Sequence, residues 1–287
     1  MTLAAHQVRR AQSHDALALF YRDYAGSDDK LTPVICLHGL TRNSRDFEDL
    51  APHIARSRRV LALDFRGRGY SEYDPDFRNY IPPTYATDTL SVLDHANIQQ
   101  AIIIGTSLGG LVAMLLAKNH RHRLAGVVLN DIGPELAPEG LARIQGYTGK
   151  LPPVTDWAQA SAQLKQIFAS AWPGLDEKTW LRLAHRSYRE NAEGVPSLDM
   201  DPLIGRAIRE VPLDLGDPWE LFTSLQTIPT LLLRGAHSDL LAQTTVDKAK
   251  VSNPKLRVVQ IPNRGHVPLL DEPASLQALD NFLSDIP

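Results

Sequence analysis

Short runs of apolar residues alternate with amphipathic stretches up to about residue 131, and the alternation resumes after Pro229. Alternation of this kind predicts β-strands joined by crossover helices, as in a mostly parallel sheet. The later four of the first five runs are almost continuously apolar, which indicates strands covered on both faces. The predicted strands cover residues 16–24, 33–39, 59–65, 101–106, 125–131, 230–236 and 257–262, and a last helix is predicted at about 273–283.

The stretch between the two sheet-forming parts, residues 134–225, has helical periodicity and contains no convincing strand pair. Apolar residues that recur every three or four positions lie on one face of a helix. One such face comprises Trp157, Ala160, Leu164, Ile167, Phe168 and Ala171, and a second comprises Trp180, Leu183, Ala184 and Tyr188. Helices inserted between two strands of one sheet form a lid. We therefore predict an α/β core at 1–133 and 226–287 and a helical cap at 134–225.

Composition restricts the class of protein. The chain has 287 residues, enough for one domain with an inserted sub-domain. Hydrophobic residues make up 43% and charged residues 22%, as in an ordinary globular protein. The formal charge of -3 leaves no surplus of basic residues to neutralise a phosphate backbone, so we expect a small-molecule substrate and no nucleic acid. The single cysteine, Cys36, lies in an apolar run and is expected to be buried, not catalytic.

The sequence carries no sign of a membrane, a metal or a cofactor. The N-terminal stretch MTLAAHQVRRAQSHD lacks the apolar segment of a signal peptide, and no run of about 18 apolar residues is present, so we expect a cytoplasmic protein. No group of His, Cys or carboxylate residues has the spacing of zinc ligands, and there is no P-loop. The glycines of the segment 64–71 lack the third glycine of a dinucleotide site. Oligomeric state is not indicated.

The segment AIIIGTSLGG is the strongest candidate for chemistry, because a buried strand runs into G-x-S-x-G and then into a helical pattern. Small residues two positions before and after Ser107 let the chain bend sharply and expose the serine hydroxyl at the sheet edge. The following helix directs free backbone N–H groups and a partial positive charge to the same place. This context predicts that Ser107 is a nucleophile.

A tetrahedral oxyanion needs a second donor from an earlier strand-to-helix loop. In ICLHGLTRNSRDF, Gly39 permits an unusual backbone conformation, which leaves the N–H of Leu40 free to act with that of Leu108. Loss of one such donor typically costs about 10²- to 10³-fold in rate. We interpret His38 as a structural histidine that holds this loop.

The general base and its carboxylate are predicted from strand-end loops. His266, in NRGHVPLL beyond the last strand, is the favoured base, and His237 is its competitor. Asp239, after the penultimate predicted strand, gives the chain order nucleophile, acid, histidine, so we favour it as the group that orients the imidazole. Asp131, which follows the strand after the nucleophile, is the alternative.

The segments HGL, DFRGRG, GTSLGG, RGAHSDLL and NRGHVPLLDEP occur in the order and at about the spacing seen in the α/β-hydrolase superfamily, and the resemblance covers residues 16–284. It implies an eight-stranded, mostly parallel sheet with a helical cap after the sixth strand. It also implies the triad Ser107, Asp239 and His266 and the oxyanion donors Leu40 and Leu108. Epoxide hydrolases and haloalkane dehalogenases carry an aspartate at the serine position, which argues against both chemistries. Within the DFRGRG segment, Arg66 and Arg68 are expected to stabilise a loop.

These residues predict a serine hydrolase that cleaves a small carboxylic ester or lactone through an acyl-enzyme. The resemblance leaves two alternatives within the fold, a carbon-carbon bond hydrolase of β-diketones or dienoic ring-cleavage products and a perhydrolase. A ligand-binding protein without turnover is the alternative from another class. Candidate substrate contacts are Trp157 and Trp172 of the cap and Arg42, which would meet a substrate carboxylate unless it faces solvent.

Overall fold

The computed structural model describes residues 6–287 and is built around an eight-stranded sheet. The strands of this sheet are β1 Gln7–Gln12, β2 Ala18–Tyr24, β3 Val34–Leu37, β4 Val60–Leu63, β5 Ala101–Thr106, β6 Leu124–Asn130, β9 Thr230–Gly235 and β10 Arg257–Ile261. They are ordered β1-β2-β4-β3-β5-β6-β9-β10. Strands β1 and β2 pair antiparallel, and the remaining strands are parallel to one another. The predicted fold class is confirmed.

The predicted runs account for seven of these strands, and β1 was missed. Five of its six residues are exposed, because it lies at the edge of the sheet and pairs only with β2. An edge strand with little buried surface has no apolar pattern for sequence analysis to detect.

Helices cover both faces of the sheet, as the parallel strands require. The α-helices are α1 Leu50–Ile54, α2 Pro82–His95, α3 Leu108–Asn119, α4 Pro138–Tyr147, α5 Trp157–Phe168, α6 Glu177–Ser187, α7 Leu203–Glu210, α8 Pro218–Thr223, α9 Gln243–Ser252 and α10 Pro273–Ser284. Side chains of α2, α3, α8 and α9 form one apolar cluster with the sheet, and those of α1 and α10 form another on its opposite side. Among residues 6–287, no helix is long and apolar enough to cross a membrane.

The segment between β6 and β9 contains helices α4 to α8. The two predicted helical faces lie on α5 and α6, except that Ala171 lies beyond the end of α5 and Tyr188 beyond the end of α6. The segment also contains a short antiparallel pair, β7 Tyr188–Glu190 and β8 Pro196–Leu198, so the expectation of no strand pair was wrong. Strands of three residues are too short to show a detectable alternation. Trp172, Trp180 and their neighbours form a separate apolar cluster in this segment, whereas Leu221 and Phe222 of α8 pack with the main cluster of the sheet.

Parallel strands end at the same edge of a sheet, so the loops after β3, β5, β6, β9 and β10 converge there. Two glycines allow the closest of these approaches. A Cβ at Gly105 would lie 2.4 Å from the carbonyl oxygen of Gly109, and a Cβ at Gly109 would lie 2.1 Å from that of Leu37. Helix α3 therefore packs directly on the backbone of β3 and β5, and this contact places its N-terminus at the sheet edge.

Candidate active site

Ser107 lies between β5 and α3 with backbone angles φ 50 and ψ -112. A positive φ is uncommon for a residue with a Cβ and costs free energy that the surrounding packing must supply. The Ser107 hydroxyl accepts no capping hydrogen bond from the backbone N–H groups of its own helix, so it is available to other groups. This is the sharply bent serine that the G-x-S-x-G pattern predicts, and its side chain is partly exposed.

A continuous hydrogen-bonded path runs from this hydroxyl to a buried carboxylate. The Ser107 Oγ lies 3.1 Å from His266 Nε2, and His266 Nδ1 lies 2.8 Å from Asp131 Oδ2. His266 is 6% exposed and Asp131 is fully buried. An imidazole held through Nδ1 by a buried carboxylate presents Nε2 as a base to the serine. His237, the other candidate base, is exposed on the loop after β9.

The structure corrects the predicted partner of His266, because Asp131 and not Asp239 contacts the imidazole. Asp239 is instead bound by the guanidinium of Arg143, with Nε to Oδ2 at 2.6 Å and Nη2 to Oδ1 at 2.9 Å. Burial raises the pKa of Asp239, but Arg143 outweighs it and holds that pKa below its usual value. The carboxylate of Asp239 is therefore bound on both oxygens by an arginine of α4, and the charge of His266 acts on it only through space.

The Asp131 carboxylate is held by further donors that sequence analysis did not identify. The backbone N–H of Gly235 donates to Oδ1 at 2.8 Å, and the hydroxyl of Ser238 donates to Oδ2 at 2.6 Å. Ser238 is in turn fixed by the N–H of Leu241, which donates to its Oγ at 3.0 Å. The one signal for Ser238 in the sequence was its position just after a strand. That this strand lies beside β6 is known only from the strand order of the folded sheet.

The two predicted oxyanion donors lie at the same edge. Leu40 and Leu108 both line the cavity that contains Ser107, and a Cβ at Gly39 would lie 3.9 Å from that of Ser107. Within the described part of the chain, neither backbone N–H donates to another protein group. Both remain available for a negatively charged oxygen beside Ser107.

His38 orients the peptide group that carries the Leu40 N–H. Its Nδ1 donates to the carbonyl of Gly39 at 2.7 Å, and its Nε2 accepts from the N–H of Phe65 at 3.1 Å. The Gly39 carbonyl belongs to the same peptide plane as the Leu40 N–H, so fixing one directs the other. Burial lowers the pKa of His38 to about 3, and the neutral ring can make both bonds. His38 is structural, as interpreted from the sequence.

The two arginines of the DFRGRG segment stabilise neighbouring loops, as expected. Arg68 donates through Nε to the carbonyl of Leu40 at 3.1 Å and therefore also holds the loop that carries this predicted oxyanion donor. The guanidinium of Arg66 is fully buried among three carboxylates, those of Asp15, Asp74 and Asp88. Within residues 6–287, one group of three side chains could hold a metal ion, and it comprises His14, Asp15 and Asp88. Both of its carboxylates are already paired with Arg66.

Ser107 and His266 open into a cavity of about 280 Å³ whose wall is mostly apolar. This volume is just below the usual range for small-molecule sites. Trp172, one of the two predicted substrate contacts of the cap, lies in the wall. Trp157 does not line this cavity, because its indole lies against His185 and its Nε1 donates to Glu190 at 2.9 Å.

Arg42 also lines the cavity, but its charge is already matched. Its Nε donates to both oxygens of Asp46, at 3.0 and 2.9 Å, and its Nη1 donates to Ser187. The side chain is 11% exposed, so it does not face solvent. This pairing opposes the predicted contact with a substrate carboxylate.

Comparison with known proteins supports the architecture just described. A family model described as alpha/beta hydrolase fold matches residues 32–273. The 3-hydroxybutyrate-oligomer hydrolase of Cupriavidus necator is 31% identical over 260 residues, which cover 88% of this chain and 88% of that protein. The 2-(acetamidomethylene)succinate hydrolase of Mesorhizobium japonicum is 25% identical over 254 residues, covering 87% of each chain. The crystal structure of an α/β-hydrolase from Novosphingobium aromaticivorans is 41% identical, with a TM-score of 0.93 over 99% of each chain.

Proposed function

The chain belongs to the alpha/beta hydrolase fold family, and on that premise we propose that it is a serine hydrolase that cleaves a carboxylic ester through an acyl-enzyme. The observation that carries the proposal is the hydrogen-bonded path from Ser107 through His266 to Asp131. A serine, an imidazole and a buried carboxylate in this order perform nucleophilic acyl transfer in unrelated folds.

In the first step, the Ser107 Oγ attacks the ester carbonyl carbon while its proton passes to Nε2 of His266. Asp131 stabilises the imidazolium that forms. The carbonyl oxygen becomes an oxyanion and accepts hydrogen bonds from the N–H groups of Leu40 and Leu108. The intermediate then collapses, the bond to the alcohol oxygen breaks, and His266 gives its proton to the departing alcohol.

In the second step, water repeats the reaction on the acyl-enzyme. His266 takes a proton from the water as it attacks the acyl carbon, and the same two N–H groups hold the second oxyanion. Collapse breaks the bond to Ser107, which recovers its proton from His266, and the carboxylic acid leaves. In each step Nε2 of His266 takes up one proton from the attacking group and gives one to the leaving group. The mechanism therefore uses only side chains and backbone of this chain and one water.

An ester is the bond that the relatives and the cavity favour. The hydrolase from Cupriavidus necator is named for oligomers of a hydroxy acid, and such oligomers are joined by ester bonds. A dienoic ring-cleavage acid carries a carboxylate, whereas the Arg42 charge in this cavity is matched by Asp46. A carbon-carbon hydrolase would use the same triad, so a ring-cleavage acid belongs in the substrate panel.

The test is the Ser107→Ala variant assayed with p-nitrophenyl butyrate. Loss of the nucleophile of such a triad typically lowers kcat by about 10⁶-fold, so we expect turnover to fall to background and labelling by a fluorophosphonate probe to disappear. Ser284→Ala, at an exposed serine of α10, is the matched control and should retain full activity. Undiminished turnover in Ser107→Ala would contradict the proposal. A folded wild-type protein that turns over no ester and takes no label would favour a ligand-binding role.

A further inference from the structure

The mouth of the catalytic cavity is lined by leucines that are exposed to solvent. Leu136, Leu141 and Leu213 are 38%, 39% and 46% exposed, and all three also line the cavity that contains Ser107. We call these three residues the leucine rim. Leu136 and Leu141 lie before and on α4, and Leu213 lies after α7, so the rim is contributed by two separate parts of the inserted segment.

The rest of the wall offers no unmatched positive charge. Besides the pair of Arg42 and Asp46, the other arginine in the wall, Arg186, is 8% exposed and lies 2.9 Å from Asp49. An arginine whose charge is matched by a protein carboxylate has little to gain from a second carboxylate. The wall therefore favours a neutral chain over one that ends in a carboxylate.

From these observations, and resting on the proposed function, we infer that the substrate is an uncharged ester with an extended apolar chain, and that the leucine rim binds the part of the chain outside the cavity. A cavity of about 280 Å³ holds a small group beside Ser107, so a longer chain must continue across the mouth. Exposed apolar side chains that continue an internal cavity gain free energy only when something apolar covers them. A chain that leaves the cavity at the rim covers them without any rearrangement.

The experiment measures how kcat/KM depends on the chain length of the ester, in the wild type and in variants of the leucine rim. In one arm, kcat/KM is measured for p-nitrophenyl acetate, butyrate, octanoate and dodecanoate, and in the other for ethyl, butyl and octyl acetate. The two arms separate an acyl chain from an alcohol chain as the occupant of the rim. A mono-p-nitrophenyl ester of octanedioic acid provides a charged substrate of about the same length as the octanoate. The variants are the triple substitution Leu136→Ser, Leu141→Ser and Leu213→Ser, with Leu213→Ser alone in case the triple variant does not fold.

The matched control is Leu181→Ser, because Leu181 is 40% exposed on α6 and does not line the cavity. Burial of one methylene group changes affinity by a factor of about four. We expect wild-type kcat/KM to rise at least about tenfold from the C2 to the C8 member of one arm and to exceed that for the charged ester about tenfold. The triple variant should lower the ratio of kcat/KM for the C8 ester to that for the C2 ester about tenfold, and Leu181→Ser should leave this ratio unchanged.

Three results would overturn the inference. They are a wild-type enzyme fastest on the C2 member of both arms, a C8-to-C2 ratio that the rim variants leave unchanged, and equal turnover of the charged and neutral esters. A dimer that the rim substitutions dissociate would show that a second copy of the chain covers the rim, and would also overturn it. Because the proposed function requires only turnover of some ester through Ser107, an active enzyme without chain preference refutes this inference alone.

Discussion

At the residue scale, the environments of two aspartates decide which of them serves His266. Asp131 is fully buried and accepts from His266, Gly235 and Ser238, whereas the Asp239 side chain is 38% exposed. A buried carboxylate with fixed donors holds an imidazole in one tautomer and one orientation. Both aspartates follow strands of the same sheet, so their positions along the chain do not separate them.

The variants Asp131→Asn and Asp239→Asn form a matched pair that tests this assignment. We expect Asp131→Asn to lower kcat by about 10⁴-fold, because an amide in place of the carboxylate favours the wrong tautomer of His266. Asp239→Asn weakens only a partly exposed ion pair and should stay within about tenfold of wild type. The measurement is kcat on p-nitrophenyl butyrate for variants whose melting temperature shows that they are folded. A larger loss in Asp239→Asn would reverse the assignment.

His38 gives the fold a pH dependence. Burial lowers its pKa to about 3 in the folded protein, while in the unfolded chain it titrates near 6.5. Below pH 6.5 the unfolded state therefore binds a proton that the folded state excludes, so the stability contribution present at neutral pH is lost as pH falls towards 3.

Between pH 7.5 and pH 5 this one residue should lower the free energy of unfolding by about 2 kcal/mol. His38→Asn should remove that share of the pH dependence, although the variant is less stable at pH 7.5. Urea unfolding at the two pH values, followed by circular dichroism, measures the difference. Identical pH dependence in wild type and variant would show that His38 is not its source. Either the folded state also binds a proton at this ring, or another group causes the pH dependence.

At the scale of elements, helix α4 is the part of the inserted segment whose position shapes the cavity. Leu141 and Ile144 of this helix line the cavity wall, and Arg143 binds Asp239 on the loop after β9. A Cβ at Gly140 would lie 2.6 Å from the carbonyl oxygen of Asp239, so the helix lies directly on that loop. The aspartate predicted to be catalytic therefore attaches α4 to the core.

Arg143→Ala should loosen α4 because it removes both hydrogen bonds to Asp239. We expect hydrogen exchange in Pro138–Tyr147 to become about fivefold faster, which corresponds to the roughly 1 kcal/mol of a partly exposed pair. KM should rise several-fold while kcat changes little, since the triad is not touched. The control is Arg206→Ala, which breaks the exposed pair with Glu210 on α7. Unchanged exchange in α4 would mean that apolar packing alone holds the helix.

At the scale of the whole molecule, the buried carboxylate of Asp199 is one of several contacts that join the inserted segment to the sheet edge. Asp199 is 2% exposed, accepts from Arg45, and lies 3.1 Å from Arg189. Its backbone carbonyl accepts from the N–H of Gly69 at 3.1 Å. Arg45 belongs to the segment that follows Leu40, so the inserted segment supports the loop that carries this predicted oxyanion donor.

Asp199→Ala should lower the free energy of unfolding by about 3–5 kcal/mol, because it leaves buried arginine charge without its partner. We also expect kcat to fall, since the loop that presents Leu40 loses its support. Urea unfolding and kcat on p-nitrophenyl butyrate measure the two effects. Asp214→Ala is the control, because Asp214 is exposed and accepts only from the N–H of Gly216. Wild-type stability in Asp199→Ala would exclude this role.

Local pattern was sufficient to locate the core strands and the bent serine that we propose as nucleophile. Continuous apolar runs locate β3, β4, β5 and β6, and the glycines around Ser107 specify the turn that exposes its hydroxyl. His266 was also found from its position, on a loop after the last strand. The core strands and the turn at Ser107 depend on residues that are neighbours in the chain. The position of His266 follows from the rule that parallel strands end at a common edge of the sheet. The sequence is therefore sufficient to predict all three.

The tertiary structure decided the matters that depend on competition between distant groups. The sequence by itself determined that a serine, a histidine and an aspartate meet at the sheet edge. It did not determine that the aspartate is Asp131, because Asp239 is taken by an arginine of α4 that lies 96 positions away along the chain. Likewise, Arg42 donates to Ser187, and the indole of Trp157 donates to Glu190. Hydrogen bonds and ion pairs act over a few ångströms in space, and only the folded chain fixes which partner is near enough.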